Sequence, residues 1–197
     1  MEINRFEVRR QAFHICLGLA IIILLVNNIL NSLILFIVLI IGILISILSK
    51  KFKIPIIYSF LKIFERKDVL KRFPGKGAIS FLVGCLLALQ LFERNIAFAS
   101  IMILTLGDSI SHLFGLYFGR KKHPLNCLKS IEGGIAGGIA GSLGAMFFIS
   151  PLCALLASFG AMTAEAVELK MNDKIIDDNI IVPLVAGTIL HLIRIYI

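Results

Sequence analysis

Charge is scarce in this sequence. Asp, Glu, Lys and Arg make up only 16% of its 197 residues, against a hydrophobic share of 58% and a mean hydropathy of +0.97. That balance excludes an ordinary water-soluble core and requires lipid to cover most of the chain. No stretch long enough for a separate soluble domain separates apolar runs such as 21–26, 33–45 and 101–106, so residues 1–197 read as one integral membrane domain. Paired cysteines are also missing. Cys16, Cys85, Cys127 and Cys153 stand singly, which excludes a zinc-site or disulfide framework and leaves packing roles. No small-residue cleavage site follows Arg5, Arg9 and Arg10, and a second hydrophobic run comes at once, so the first apolar segment reads as a retained helix rather than a cleaved leader. The Gly-x-x-x-x-Gly-Lys-Ser/Thr string is absent as well, which excludes a Walker P-loop.

What is present is a series of apolar segments near the length that crosses a bilayer, about twenty residues. They fall at 12–27, 29–48, 78–92, 96–118, 134–150, 152–168 and 180–197. The expected fold is therefore all-α, a polytopic membrane bundle of about seven transmembrane helices. Segments of about fifteen residues, 78–92 above all, require local thinning or deeper placement in the headgroup layer. Between the second and third segments, Ile54, Ile57, Leu61 and Phe64 recur at helical spacing beside Lys53, Lys62, Arg66 and Lys67, with Pro55 suited to a helix start. That pattern predicts an interfacial amphipathic helix, either a headgroup anchor or a cover for the site.

The gaps carry the positive charge. Eighteen of the 20 Lys and Arg lie in the amino terminus, 49–77, 119–133 and 169–179, and only Arg94 and Arg194 fall elsewhere. With seven spans these four stretches share one face, which the positive-inside rule makes cytoplasmic. The expectation is a cell-membrane protein with its amino terminus inside, its site facing the cytoplasm and no nucleic-acid partner.

Four polar clusters interrupt the apolar pattern. Asp108 follows Gly107 within the fourth segment, with Ser109, Ser111 and His112 beyond it. An acid there costs about 2.5–3.5 kcal/mol at mid-helix on insertion scales, so it must face a cavity, a partner or an ion. The next loop runs from Gly119 and Arg120 to Lys129-Ser130-Ile131-Glu132-Gly133-Gly134, mixing cations and glycines at a helix start, an anion site in outline. Gly137, Gly138 and Gly141 beyond it suit close helix packing. Glu165, Glu168, Asp173 and Asp177-Asp178-Asn179 form the third cluster, which is either a solvated turn or a magnesium site, since magnesium takes oxygen ligands and bridges them to phosphates. Glu7, Arg9, Arg10 and His14 lead into the first segment from the same side.

Read in order, these strings resemble the CTP-dependent lipid kinases that include dolichol kinase, phytol kinase and the fungal-type diacylglycerol kinase. The resemblance spans nearly the whole chain. It is carried by Glu7-Val8-Arg9-Arg10-Gln11-Ala12-Phe13-His14 with Gly18, by Arg72-Phe73-Pro74-Gly75-Lys76-Gly77 with Phe81 and Gly84, and by Gly107-Asp108 with Gly115, Gly119 and Arg120. Lys129-Ser130-Ile131-Glu132-Gly133, Glu165 and Asp177-Asp178-Asn179-Ile180-Ile181-Val182-Pro183 complete it. Gln11 departs from the family, which often has Lys three residues before the histidine.

The resemblance implies transfer of the γ-phosphoryl group of CTP to a membrane polyprenol or other isoprenoid alcohol, dolichol-, phytol- or geranylgeraniol-like, with Mg2+. It implies catalytic roles for Asp108, Lys129, Asp177 and Asp178. Arg10, His14, Lys76, Arg120, Lys129, Ser130, Glu132, Gly133 and Gly134 would meet the nucleotide, and Asp108, Glu132, Glu165, Asp177, Asp178 and Asn179 would serve the metal. Two alternatives stand beside it: a CTP-dependent cytidylyltransferase forming a CDP-lipid, and a small ion-coupled transporter using Asp108, His112 and Glu165. The external loops, short and poor in functional groups, speak against transport.

Overall fold

The computed structural model describes residues 2–52, 61, 63–65, 69–70, 73–124, 126–167, 170–171, 174–175 and 177–196, with backbone alone at 2–4, 50–52, 127–128, 170–171 and 174–175. Most of the amphipathic segment expected around 53–67 lies outside them, as do Arg72, Glu168 and Asp173.

Each of the seven apolar segments is a helical rod among the described residues: α1 Glu2–Val26, α2 Ser32–Phe52, α3 Lys76–Leu91, a fourth rod from Arg94 to Phe118, α6 Ile131–Ala145, α7 Pro151–Ala166 and α8 Asp178–Tyr196. The fourth rod comprises α4 Arg94–Met102, a π-helical stretch Ile103–Asp108 and α5 Ser109–Phe118. Between α5 and α6 the chain makes a small antiparallel hairpin, β1 Lys122–His123 with β2 Asn126–Ser130, and a second pair, β3 Lys170–Met171 with β4 Lys174–Ile175, precedes α8. Four rods, Arg5–Val26, Ser32–Ser49, Arg94–Phe118 and Asp178–Tyr196, are long and apolar enough to cross a membrane. The other three have 15 or 16 residues.

The fourth rod is the axis: 72% of its most apolar window is buried, against 22% in α2. Small residues bring its neighbours close. A Cβ at Gly18 of α1 would overlap the Thr105 side chain, and one at Gly137 of α6 would lie 2.6 Å from the Gly107 carbonyl oxygen. Glycines thus replace side-chain knobs at these crossings, as small residues do where lipid offers no hydrophobic drive to packing. The outer surface is apolar, with Leu33, Phe36, Ile41, Leu143, Phe147 and Leu152 all exposed. Such a surface suits contact with lipid, and helices tolerate it because their backbone groups are bonded internally.

Polar contacts separate the two ends of the bundle. At one pole Arg94 Nη2 donates to the Leu25 and Val26 carbonyls, Arg194 pairs with Glu93, and Phe98 meets Phe148 edge-on. The other pole gathers the start of α1, the end of α5, the β1–β2 hairpin, the end of α7 and the starts of α3 and α8.

Candidate active site

At that second pole Lys129, the penultimate residue of β2, reaches across to two other elements. Its Nζ donates to the Glu165 carbonyl (2.7 Å) and Oε1 (2.7 Å) on α7 and to Asp178 Oδ2 (2.8 Å) on the first turn of α8. Burial alone would lower this lysine's pKa, but the charges of Glu165 and Asp178 and their hydrogen bonds outweigh it and hold the ammonium above its ordinary value. Asp108, at the end of the π-helical stretch, completes the cluster: one oxygen from each of Asp108, Glu165 and Asp178 lies within 4.8 Å of the others. Wide helical turns of this kind recur at functional sites, and here the turn delivers an acid from the axial rod to the other two.

The acid turn is set by α3. Pro183 in α8 has no N–H to offer the carbonyl four residues back, that of Asn179. Gly84 of α3 packs onto this carbonyl so closely that a Cβ would lie 2.0 Å from the oxygen. Asn179 Nδ2 then donates to Ser80 Oγ (2.9 Å) and to Asp177 Oδ1 (2.8 Å), and Lys76 Nζ lies 3.7 Å from Asp177 Oδ2. Gly75, left-handed at φ 81°, starts α3 and donates its N–H to Glu65 Oε2 (2.7 Å).

From α1, Arg10 pairs with Glu7 at 2.9 Å, and its Nη2 lies 3.1 Å from His112 Nε2 on α5. A polar cavity of about 290 Å³ opens here, lined by Arg10, Gln11, His14, Lys76, Asp108, His112, Asp177, Asp178 and Asn179. Two of its buried atoms, Gln11 Oε1 and His14 Nδ1, have no hydrogen-bond partner among the described residues. Buried polar groups are rarely left so, and both residues line the same cavity as Asp108, Asp177 and Asp178. On the far side of His112 a second cavity, about 320 Å³, is lined by Ser111, Gly115, Gly119, Lys122, Lys129, Ser130 and Glu165.

Most residues singled out from the sequence therefore meet: Arg10, His14, Lys76, Asp108, Asp177, Asp178 and Asn179 around one cavity, Lys129, Ser130 and Glu165 around the next. The remainder sit differently. Glu132 lies outside the acid cluster and accepts the Lys121 N–H at 3.1 and 3.2 Å. Arg120 is exposed. Gly133 donates its N–H to the Ser130 cap (3.1 Å), Ile131 donates to the Lys121 carbonyl, and a Cβ at Gly133 would lie 2.6 Å from the Ser111 carbonyl. Gly133 thus closes the α5–α6 packing, and its amide is already bonded. Gly134 is open, with nothing within 4 Å of its Cβ position.

Ser80 and Glu65 carried no signal in the sequence, because each acts through a backbone or a turn that only tertiary packing creates. Gln11 stood out only as a departure from a pattern, and it is 2% exposed at the cavity wall.

An uncharacterized protein of Methanocaldococcus jannaschii is 29% identical over 196 residues, covering 94% of this chain and 93% of that protein. No protein-family model matches the chain, and no solved structure matches it significantly.

Proposed function

We propose that this chain is a membrane-embedded phosphotransferase that moves the γ-phosphoryl group of CTP to the hydroxyl of a polyprenol or related isoprenoid alcohol, using magnesium. In this reading all seven rods cross the cell membrane, the amino terminus is inside, and the polar pole faces the cytoplasm, where water-borne nucleotide meets a lipid hydroxyl. The observation that carries it is the Lys129 ammonium held between Glu165 and Asp178 with an Asp108 oxygen within 4.8 Å of theirs. Cations and carboxylates brought together at a membrane surface are the equipment of phosphoryl transfer, in which a protein chiefly positions the reactants and neutralises charge. CTP as donor and an isoprenoid acceptor come from the family resemblance.

The all-oxygen donor set suits magnesium, and the adjoining polar cavity of about 290 Å³ leaves room for its waters and a phosphate. Asp108, Glu165 and Asp178 would hold the ion, which when bound neutralises phosphate oxygens. The first-turn amides at Ile131 and Gly133 are engaged, so the phosphates fall to side chains, with Lys122 and Lys129 on the cavity beyond His112. Arg10, kept in place by Glu7, faces the same reaction from the α1 side. In the transfer a bond forms between the alcohol oxygen and the γ-phosphorus while the bond to the β,γ-bridging oxygen breaks. CDP leaves with that electron pair, and the hydroxyl proton passes to a carboxylate of the cavity.

The test is incubation of the purified full-length protein with each of the four nucleoside triphosphates, magnesium and a panel of phytol, geranylgeraniol, a polyprenol and diacylglycerol, scoring phosphorylated lipid. CTP-dependent product with an isoprenoid alcohol is expected. Absence of product with every pair would overturn the proposal, and transfer in detergent, where no vesicle interior exists, would dismiss a transporter.

A further inference from the structure

The polar cavity has a neighbour of different character. Between α1, the residues Leu61, Phe64, Glu65 and Val69, and the start of α3 lies a cavity of about 250 Å³ with apolar walls of Phe13, Leu61, Phe64, Val69 and Ala78. Phe13 and Phe64 stack at 4.9 Å to close one side. Its polar lining comprises Glu65 together with Arg10, His14, Lys76, Asp177 and Asn179, and these last five also line the polar cavity containing Asp108 and Asp178. The two spaces thus abut along these residues. His14 is only 8% exposed, lines both, and has an Nδ1 without a hydrogen-bond partner among the described residues.

We infer that this cavity is the acceptor site, and that it seats the hydroxyl and first carbons of a single-chain lipid alcohol. The inference rests on the phosphotransferase reading above and adds where the acceptor lies and which shape it has. An apolar wall grading into a floor with donors (Lys76, Arg10) and an acceptor (Asp177) matches a group that both donates and accepts at the end of a hydrocarbon. The volume lies below the roughly 300 Å³ at which small-molecule pockets usually begin, which suits the end of one hydrocarbon chain rather than the two acyl chains of a diacylglycerol. Gly77 keeps the floor within reach: its Cβ position lies 3.6 Å from His14 Nε2, where a longer side chain would cover the histidine.

The experiment is photoaffinity labelling of the full-length protein in detergent, with geranylgeraniol carrying a diazirine near its hydroxyl, followed by peptide mapping. Label is expected on the peptides containing Phe13, Phe64 and Ala78. Unlabelled geranylgeraniol should compete and dioleoylglycerol should not. Ala78→Phe, which fills the cavity, should cut competable labelling roughly tenfold or more, while Leu143→Phe on the lipid-facing surface should leave it unchanged. If Ala78→Phe does not fold, Phe64→Ala serves instead and should let dioleoylglycerol compete. Label confined to lipid-exposed helices such as α2, or equal competition by dioleoylglycerol in the wild type, would overturn the inference. Labelling in the cavity without phosphoryl transfer from any nucleotide would uphold the site and remove the phosphotransferase reading, and transfer with label elsewhere would do the reverse.

Discussion

Removing the Lys129 ammonium tests the charge balance of the site. Its Nζ lies 2.7 Å from Glu165 Oε1 and 2.8 Å from Asp178 Oδ2, and at an effective dielectric of about 20 each contact is an attraction of about 6 kcal/mol. Desolvation returns much of that, and truncating one partner of a fully buried pair costs about 3–5 kcal/mol net. Lys129 and Asp178 keep 25% and 38% of their side-chain surface exposed, so solvent screening brings the expectation for Lys129→Ala to about 2–3 kcal/mol. The stability loss arises from acids left facing one another, so another cation should repair it. In detergent without divalent ions, Lys129→Ala should melt several degrees below wild type, and millimolar magnesium should restore most of the difference while raising wild type less. Activity should stay lost, because phosphates would still lack the lysine. A variant as stable as wild type without magnesium, or one that magnesium does not help, would refute the idea that ammonium and metal serve the same carboxylates.

Other expectations follow from the same geometry. Asp108→Asn should cut turnover by orders of magnitude with little change in melting temperature, because the Lys129 contacts do not involve it; wild-type-like transfer would remove Asp108 from the scheme. Gly84→Ala, whose Cβ would lie 2.0 Å from the Asn179 carbonyl oxygen, should displace the acid turn and lower both thermal stability and turnover, measured together by melting and product formation. The stabilisation from Lys129 is fully present below the ordinary lysine pKa of 10.5 and is lost as pH rises through its raised folded value. Wild type and Lys129→Ala should therefore differ in melting temperature throughout neutral pH and converge only above that range.

The rods were legible because a bilayer-length apolar run is a strong signal, yet their ends were not. Hydropathy placed the first segment at 12–27, whereas α1 runs from Glu2, because Glu7, Arg9 and Arg10 extend the helix beyond the apolar layer at no cost to its backbone bonds. The β1–β2 hairpin pairs a strand of only two residues with one of five, too little for a hairpin pattern to show. Asp108, Lys129, Glu165 and Asp178 stood out because charges within or beside apolar segments are expensive and must be matched. Their pairing was not legible, since Lys129 finds partners 36 and 49 residues away. Glu132 looked like another acid of that group by its place next to Lys129. Its carboxylate instead accepts the Lys121 N–H, eleven residues back at the base of the β1–β2 hairpin, a contact that competes with a place in the acid cluster.

The most direct measurement follows the position of a label in CTP. Purified protein, magnesium and geranylgeraniol supplied with CTP labelled in its γ-phosphate should place the label in the lipid and release unlabelled CDP. Label recovered in pyrophosphate with a cytidylylated lipid, or no labelled lipid at all, would contradict the account.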